Sequence, residues 1–375
     1  MRSLLLPLIA ATAIAQTGPR LEISHTTESL RGVSAVSRQI AWASGTHGTY
    51  LRTTDAGRTW TPAQVPDATQ LDFRGVVAFS ADEAFLMSAG PGDHSRIYHT
   101  SDGGQHWQLQ FTNTNPKGFF DSMVFWDPKH GVVLGDPVPD EAGKLKFELL
   151  ETEDGQTWKS IPPAQLPEAI PGEGAFAASN TCLAIVPAGA PDQNLWFATG
   201  GSAARVFHSP DRGQTWQVFD TPILHGPDSA GIFSIAFQDP LHGVIAGGDY
   251  KRPKEDGPEL AFTLDGGHTW TVAPIKPQAY FSAVAYDRAV IQAAARQAAN
   301  EKALEQKGKK IRVKPIAPER LFVVGPDFIF DYHLPNNPHR IGGKKKQGVA
   351  FNAVSALPDG GALVVGPKGT IAFIP

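Results

Sequence analysis

The sequence predicts an all-β fold, a seven-bladed β-propeller of four-stranded antiparallel blades, from three observations. First, one phrase recurs five times: "TTDAGRTW" (53–60), "TSDGGQHW" (100–107), "TEDGQTW" (152–158), "SPDRGQTW" (209–216) and "TLDGGHTW" (263–270). Its aspartates are Asp55, Asp102, Asp154, Asp211 and Asp265, so subtraction gives gaps of 47, 52, 57 and 54 residues. A period near this length suits one four-stranded blade per repeat. Second, each repeat is preceded by short apolar, β-branched runs, the mark of strands covered on both faces. Third, the last unit is one strand short, while an N-terminal strand has no unit before it.

The elements follow in chain order. "MRSLLLPLIAATAIAQ" carries one Arg, an apolar run and Ala13-Ile14-Ala15, which reads as a secretory signal (1–15) cleaved near Ala15. The run is too short to span a bilayer. Export to the periplasm or the extracellular space is therefore expected, with 16–375 as a single propeller domain. "RLEISHTT" (20–27) is the spare strand. The first unit reads "GVSAVS" then "IAWAS", the second "GVVAFS" then "AFLMS", and the third "SMVFW" then "GVVLG". The fourth reads "TCLAIV" then "LWFATG", and the fifth "IFSIAF" then "GVIAG". A third strand leads into each motif and a fourth starts at its Trp. Two further units lack the motif, one from "YFSAVAYD" (280–287) and one across 350–374. The latter has three strands, and the N-terminal strand is expected to complete it and close the ring.

In the motif, a small hydroxyl residue and an Asp favour side-chain to backbone hydrogen bonds in a tight turn, and Gly supplies positive φ. The indoles of Trp60, Trp107, Trp158, Trp216 and Trp270 are expected where one blade packs on the next. The third copy is one residue shorter between Asp154 and Trp158, so its turn must differ. An Asp repeated around a ring does not converge on a reacting atom, so the motif reads as structural.

"DAGRTW", "DGGQHW", "DRGQTW" and "DGGHTW" resemble Asp-box (BNR) repeats, which occur in sialidases, some endoglucanases and non-enzymatic propellers. With "LRGVSAV" (30–36), "FRGVVAF" (73–79), "EGAFAASNTCLAI" (173–185) and "GIFSIAFQDPLHGVIAGGDY" (231–250), the chain most resembles the exported bacterial branch of propellers like the photosystem II stability and assembly factor. The resemblance implies a sialidase-like propeller fold and a protein-binding scaffold.

Bulk properties narrow the function. The net charge is −4 over 375 residues, which gives no sign of a nucleic-acid partner. The one cysteine, Cys182, lies in an apolar run and reads as a buried small hydrophobe. No G-x-S-x-G, phosphate loop, H-E-x-x-H or CxxC is present, and the 12 histidines are scattered. No metal and no cofactor is expected, and the chain is expected to be a monomer.

Long loops gather on one face, at "GDPVPDEAGK" (135–144), "GGDYKRPKEDG" (247–257), "TNTNPKGFF" (112–120) and "PPAQLPEAIPGEGAFAAS" (162–179). Residues just before the innermost strands should ring the channel mouth: Arg31, Arg74, Asp121, Asn180, Phe233, Phe281 and Asn352. Asp136, Glu173, Asp249 and Tyr250 should lie nearby. Such a collar suits a protein or carbohydrate partner. The alternative is a glycoside hydrolase of the sialidase or endoglucanase class, using two of Asp121, Asp136, Glu173 and Asp249. Against a sialidase, "LRGV" stands where the family has Arg-Ile-Pro; the endoglucanase form uses two propellers.

One stretch breaks the pattern. "VIQAAARQAANEKALEQ" is a helix former, which makes 288–319 a helical, basic insertion in the sixth blade. Residues 288–346 hold 13 Lys/Arg and 5 Asp/Glu, a balance of +8, against 20 and 32, or −12, for the remainder. That asymmetry suits weak contact with an anionic surface.

Overall fold

The computed structural model describes residues 18–186, 193–275, 279–293, 296, 320–326, 328–333, 339–341 and 350–375. Their strands form seven hydrogen-bonded sheets. Six are four-stranded and antiparallel. The first runs through Leu30–Ala35, Ala41–Gly45, Thr49–Thr53 and Thr61–Gln64. The second runs through Phe73–Ala78, Ala84–Ser88, Arg96–Thr100 and Gln108–Thr112. The innermost strands lie side by side around a circle, and Leu30–Ala35 packs beside both Phe73–Ala78 and Ala353–Ala356.

The expectation of seven uniform four-stranded blades is corrected here, because the regular blades number six. The remaining sheet has six strands, with Glu173–Gly174 and Gly200–Gly201 added inside Ala230–Phe237. Glycine makes this addition feasible. Gly200 pairs with Gly231, and a Cβ on Gly200 would meet the Phe176 ring at 2.3 Å and the Ala230 carbonyl at 2.7 Å. The backbones touch only because side chains are missing. The expected helical insertion is also corrected: the described residues show only a short helix from Arg288, and most of 288–319 lies outside them. So do the secretory signal (1–15) and most of the basic stretch 288–346.

The two ends of the chain meet in one sheet. Arg20–Glu22 pairs antiparallel with Thr370–Ile374, Arg20 opposite Phe373 and Glu22 opposite Ile371. That strand covers what would otherwise be a free edge.

Between sheets, polar side chains take up the backbone groups of the inner edges. Ser355 accepts the Ala35 amide at 3.0 Å, Ser34 the Ala78 amide at 3.0 Å, and Ser234 the Val284 amide at 3.0 Å. Asn180 accepts from the Met123 amide at 2.7 Å and donates to its carbonyl at 3.0 Å. Asn352 donates to the Leu30 carbonyl at 2.7 Å. Buried backbone groups that found no such partner would be costly.

The recurring turn has one geometry in four copies. In the second, Thr100 Oγ1 receives the Gly104 amide at 3.0 Å, and Asp102 receives the His106 amide at 2.9 Å. In the third, shorter copy the same bonds close one residue sooner: Thr152 Oγ1 receives the Gly155 amide at 3.0 Å, and Asp154 receives the Thr157 amide, three residues on rather than four, at 2.7 Å. Each indole packs against the preceding sheet. Trp60 and Trp158 are buried, whereas Trp107, Trp216 and Trp270 are half-buried.

These turns predict an acid response. The His106 amide, then the His106 ring, hold Asp102 down from 3.8 to about 2. Its contribution to folding is complete above pH 3.8 and is lost as the pH falls through about 2. Thermal unfolding followed between those values should show a steeper loss for the wild type than for Asp102→Asn, which has no proton to take up there.

Candidate functional site

The channel mouth is shaped by β-bulges. Where the first and second strands of a sheet pair, the register slips at Leu30/Gly32, Phe73/Gly75, Phe120/Ser122 and Ile232/Ser234. The extra residues are Arg31, Arg74, Asp121 and Phe233. A bulge re-aims a side chain and is common at rims next to binding sites. Here it sets two cations, an acid and a ring around the mouth. The glycines after the arginines allow close passage: a Cβ on Gly75 would lie 2.6 Å from Asn180 Oδ1.

Two adjoining cavities open at this face. The first, about 370 Å³, is lined by Arg31, Arg74, Tyr250, Phe233 and Asn352 together with Phe176 and Tyr280. Phe233 is its buried floor. Phe176 stands edge-on to it at 4.6 Å between centroids, Tyr280 at 5.7 Å, and Tyr250 is tilted at 6.3 Å. Among the described residues, no carboxylate lines this cavity. Beneath the arginines, Asp72 accepts from Arg74 Nε at 2.8 Å and lies 3.7 Å from Arg31 Nε. Arg74 also donates to the Ala177 carbonyl at 3.2 Å. Arg31 Nε is buried without a hydrogen bond. Burial first, and the neighbouring Arg74 second, lower the Arg31 pKa below its ordinary value. Two guanidiniums against one carboxylate leave an excess positive charge beside aromatic walls. That combination favours an anionic group with an apolar body.

The second cavity, about 510 Å³, is lined by Arg74, Phe176, Asp121, Asp136 and Glu173 among others. The two cavities share Arg74, Phe176 and Ala177. Asp121 is 1% exposed, and its Oδ2 has no hydrogen bond. Burial, and then Asp136, push its pKa well above the carboxylate range. Asp136 accepts from the Ala175 amide at 2.9 Å, and burial raises it to about 6.

The other sequence-predicted residues serve the scaffold. Glu173 is an ion-pair partner of Arg205, with Arg205 Nε at 2.9 Å, and takes the Thr199 hydroxyl at 2.6 Å. Asp249 closes a loop by accepting from Ser229 Oγ at 2.8 Å, the Lys251 amide at 2.9 Å and Arg252 Nε at 2.9 Å. Asn180 is tied to Met123 between sheets and faces the channel below the mouth. Sequence reasoning missed Asp72, Phe176 and Tyr280. The pairing of Asp72 with Arg74 two residues on was the available signal; no pattern marked the two rings. Among the described residues, no three metal-ligating side chains group together.

No family model matches the chain, and no curated protein matches its sequence. Solved structures do match. One titled "YCF48 bound to D1 peptide" aligns with a TM-score of 0.62 at 17% identity, covering 99% of each chain. YCF48 from Cyanidioschyzon merolae gives 0.58 at 16% identity, over 95% of this chain and 98% of that one. A catalytically inactive virginiamycin B lyase from Staphylococcus aureus with quinupristin gives 0.58 at 11% identity, over the same shares. These likenesses establish a β-propeller fold. At such identities the functions of those proteins do not carry over by likeness alone.

Proposed function

We propose that this chain is an exported, non-catalytic propeller scaffold that holds a segment of a protein partner at its loop-bearing channel mouth. The observation that carries the reading is the first cavity, where two bulge-borne arginines, sharing the single carboxylate of Asp72, face four aromatic rings. Rigid amphipathic rings and Arg are the side chains on which protein contacts concentrate. One further observation supports the scaffold, a solved propeller aligned over 99% of this chain that holds a peptide; export is proposed from the leader-like sequence of residues 1–15 alone. The Asp–Trp turns, read as Asp boxes, then serve as the frame.

The test uses the chain without residues 1–15 against arrays of acidic, aromatic-containing peptides and of glycans. Peptides retained by the wild type should bind at least about tenfold more weakly to Arg31→Ala/Arg74→Ala, a loss of about 1.4 kcal/mol. Retention that ignores both arginines, or retention of glycans only, defeats the reading. Hydrolysis remains the second reading, favoured by the raised pKa values of Asp121 and Asp136. It requires turnover of aryl glycosides that Asp136→Asn abolishes.

A further inference from the structure

We propose that Asp121 and Asp136 form a second subsite, beside the arginine basin, that receives a cationic amine. The reading goes beyond the partner reading and does not depend on it, since a small amine suffices to test it. Asp121 is the bulge residue of its strand, and Asp136 follows Gly135, the residue opposite Phe120. Both carboxyls line the same cavity. Asp121 is almost completely buried, yet one of its oxygens has no hydrogen bond. Such an atom lacks either a proton to share or a cation to meet.

Arg74 adds a favourable charge at Asp121, but among the described residues no cation is seated on the unbonded oxygen. Arg74 is engaged by Asp72 and the Ala177 carbonyl. Arg205 is engaged by Glu173. Lys117 also lines the cavity, but is exposed to solvent. The other acids deepen the shortage: Glu148 adds to the field at Asp121, and Asp228 lies on the rim with Lys251 3.5 Å away. The pocket thus has an acidic floor and an open route. The segment over it is trimmed to fit, because a Cβ on Gly174 would stand 2.8 Å from Asp136 Oδ1.

An ammonium group matches this arrangement. It carries three donors and one charge, and two carboxyls can accept from it at once. A metal ion fits less well, as the described residues group no three metal ligands here. Burial, and then Asp136, raise Asp121 well above the carboxylate range, and burial raises Asp136 to about 6, so both carboxyls hold a proton more readily than an exposed acid does. An arriving ammonium restores their ionised form, so binding releases a proton to solvent and strengthens as the pH rises.

The experiment is calorimetric titration of the full chain with cadaverine at a pH near 6, where Asp136 titrates. It is run in two buffers of different ionisation enthalpy, with pentanol as the uncharged control. Expected are saturable binding of cadaverine but not pentanol, a buffer-dependent heat that reports proton release, and tighter binding at higher pH. Asp121→Asn should weaken binding by about tenfold or more and cut the proton release to the share that comes from Asp136. Asp136→Asn, at the partly exposed site, is the second variant, and should weaken it too. Thermal unfolding of both variants checks that they fold. Absence of binding to the wild type, equal binding by the variants, heat without proton release, or saturation by calcium chloride in place of cadaverine would each overturn the assignment.

Discussion

Trp60→Ala is expected to be among the most damaging single substitutions in the chain, lowering stability by about 3–5 kcal/mol. The indole is 2% exposed and lies among residues of the first sheet and of the sheet that the chain ends share, including Leu51, Leu357 and Ile371. Its loss removes a large buried ring at that joint. It also removes a hydrogen bond, since Trp60 Nε1 donates to Glu22 Oε2 at 2.7 Å. Glu22 is on the N-terminal strand, and its side chain is 2% exposed. A buried carboxylate that loses a donor adds about 1–3 kcal/mol of its own. Urea unfolding of Trp60→Ala and Trp60→Phe separates the two contributions. The phenylalanine variant keeps most of the packing and shows chiefly the cost at Glu22, which retains Arg20 at 2.8 Å. Trp216→Ala is the comparison: that ring is half-buried and bonds only the local Gly213 carbonyl, at 3.0 Å. A smaller loss there than at Trp60 is required.

Arg205→Ala is the second large effect, at about 3–5 kcal/mol. Its partner Glu173 has a side chain that is 0% exposed. Removing the guanidinium leaves that charge with the Thr199 hydroxyl and the Ile170 amide, at 2.6 and 3.0 Å. Replacing both residues, as Arg205→Ala/Glu173→Gln, should recover part of the loss, because the stranded charge is gone. Denaturant unfolding of the two single variants and the double variant, read as a cycle, gives the coupling directly. Strictly additive losses would show that the pair is not held as described. Glu173 starts the two-residue strand Glu173–Gly174. Arg205→Ala should therefore also disturb the Phe176 wall of the arginine basin, a few residues on.

Blade order was legible because the repeated phrase marks one turn per unit and each Trp starts an outer strand. The mouth was legible at Arg31, Arg74, Phe233 and Asn352, since position before an innermost strand is a matter of counting. The bulges that aim three of these side chains leave no periodic trace. The six-stranded sheet was hidden for a different reason. Its two added strands are Glu173–Gly174 and Gly200–Gly201, too short and too rich in glycine for alternation to register. The segment 172–178 read as a loop, yet it folds across the mouth and carries Phe176 into the first cavity. The carboxylates were the least legible. Asp136, Glu173 and Asp249 all looked available in a loop-rich face, and only the partners Arg205 and Arg252 reveal which are spent.

The pairing of Arg20–Glu22 with Thr370–Ile374 has a temporal consequence. Some 350 residues separate the partners, so this pairing carries a large loop-closure entropy, of the kind that slows folding. The strand lies at the outer edge of its sheet, so it fastens the joint from outside while the inner strands Leu30–Ala35 and Ala353–Ala356 meet at the centre.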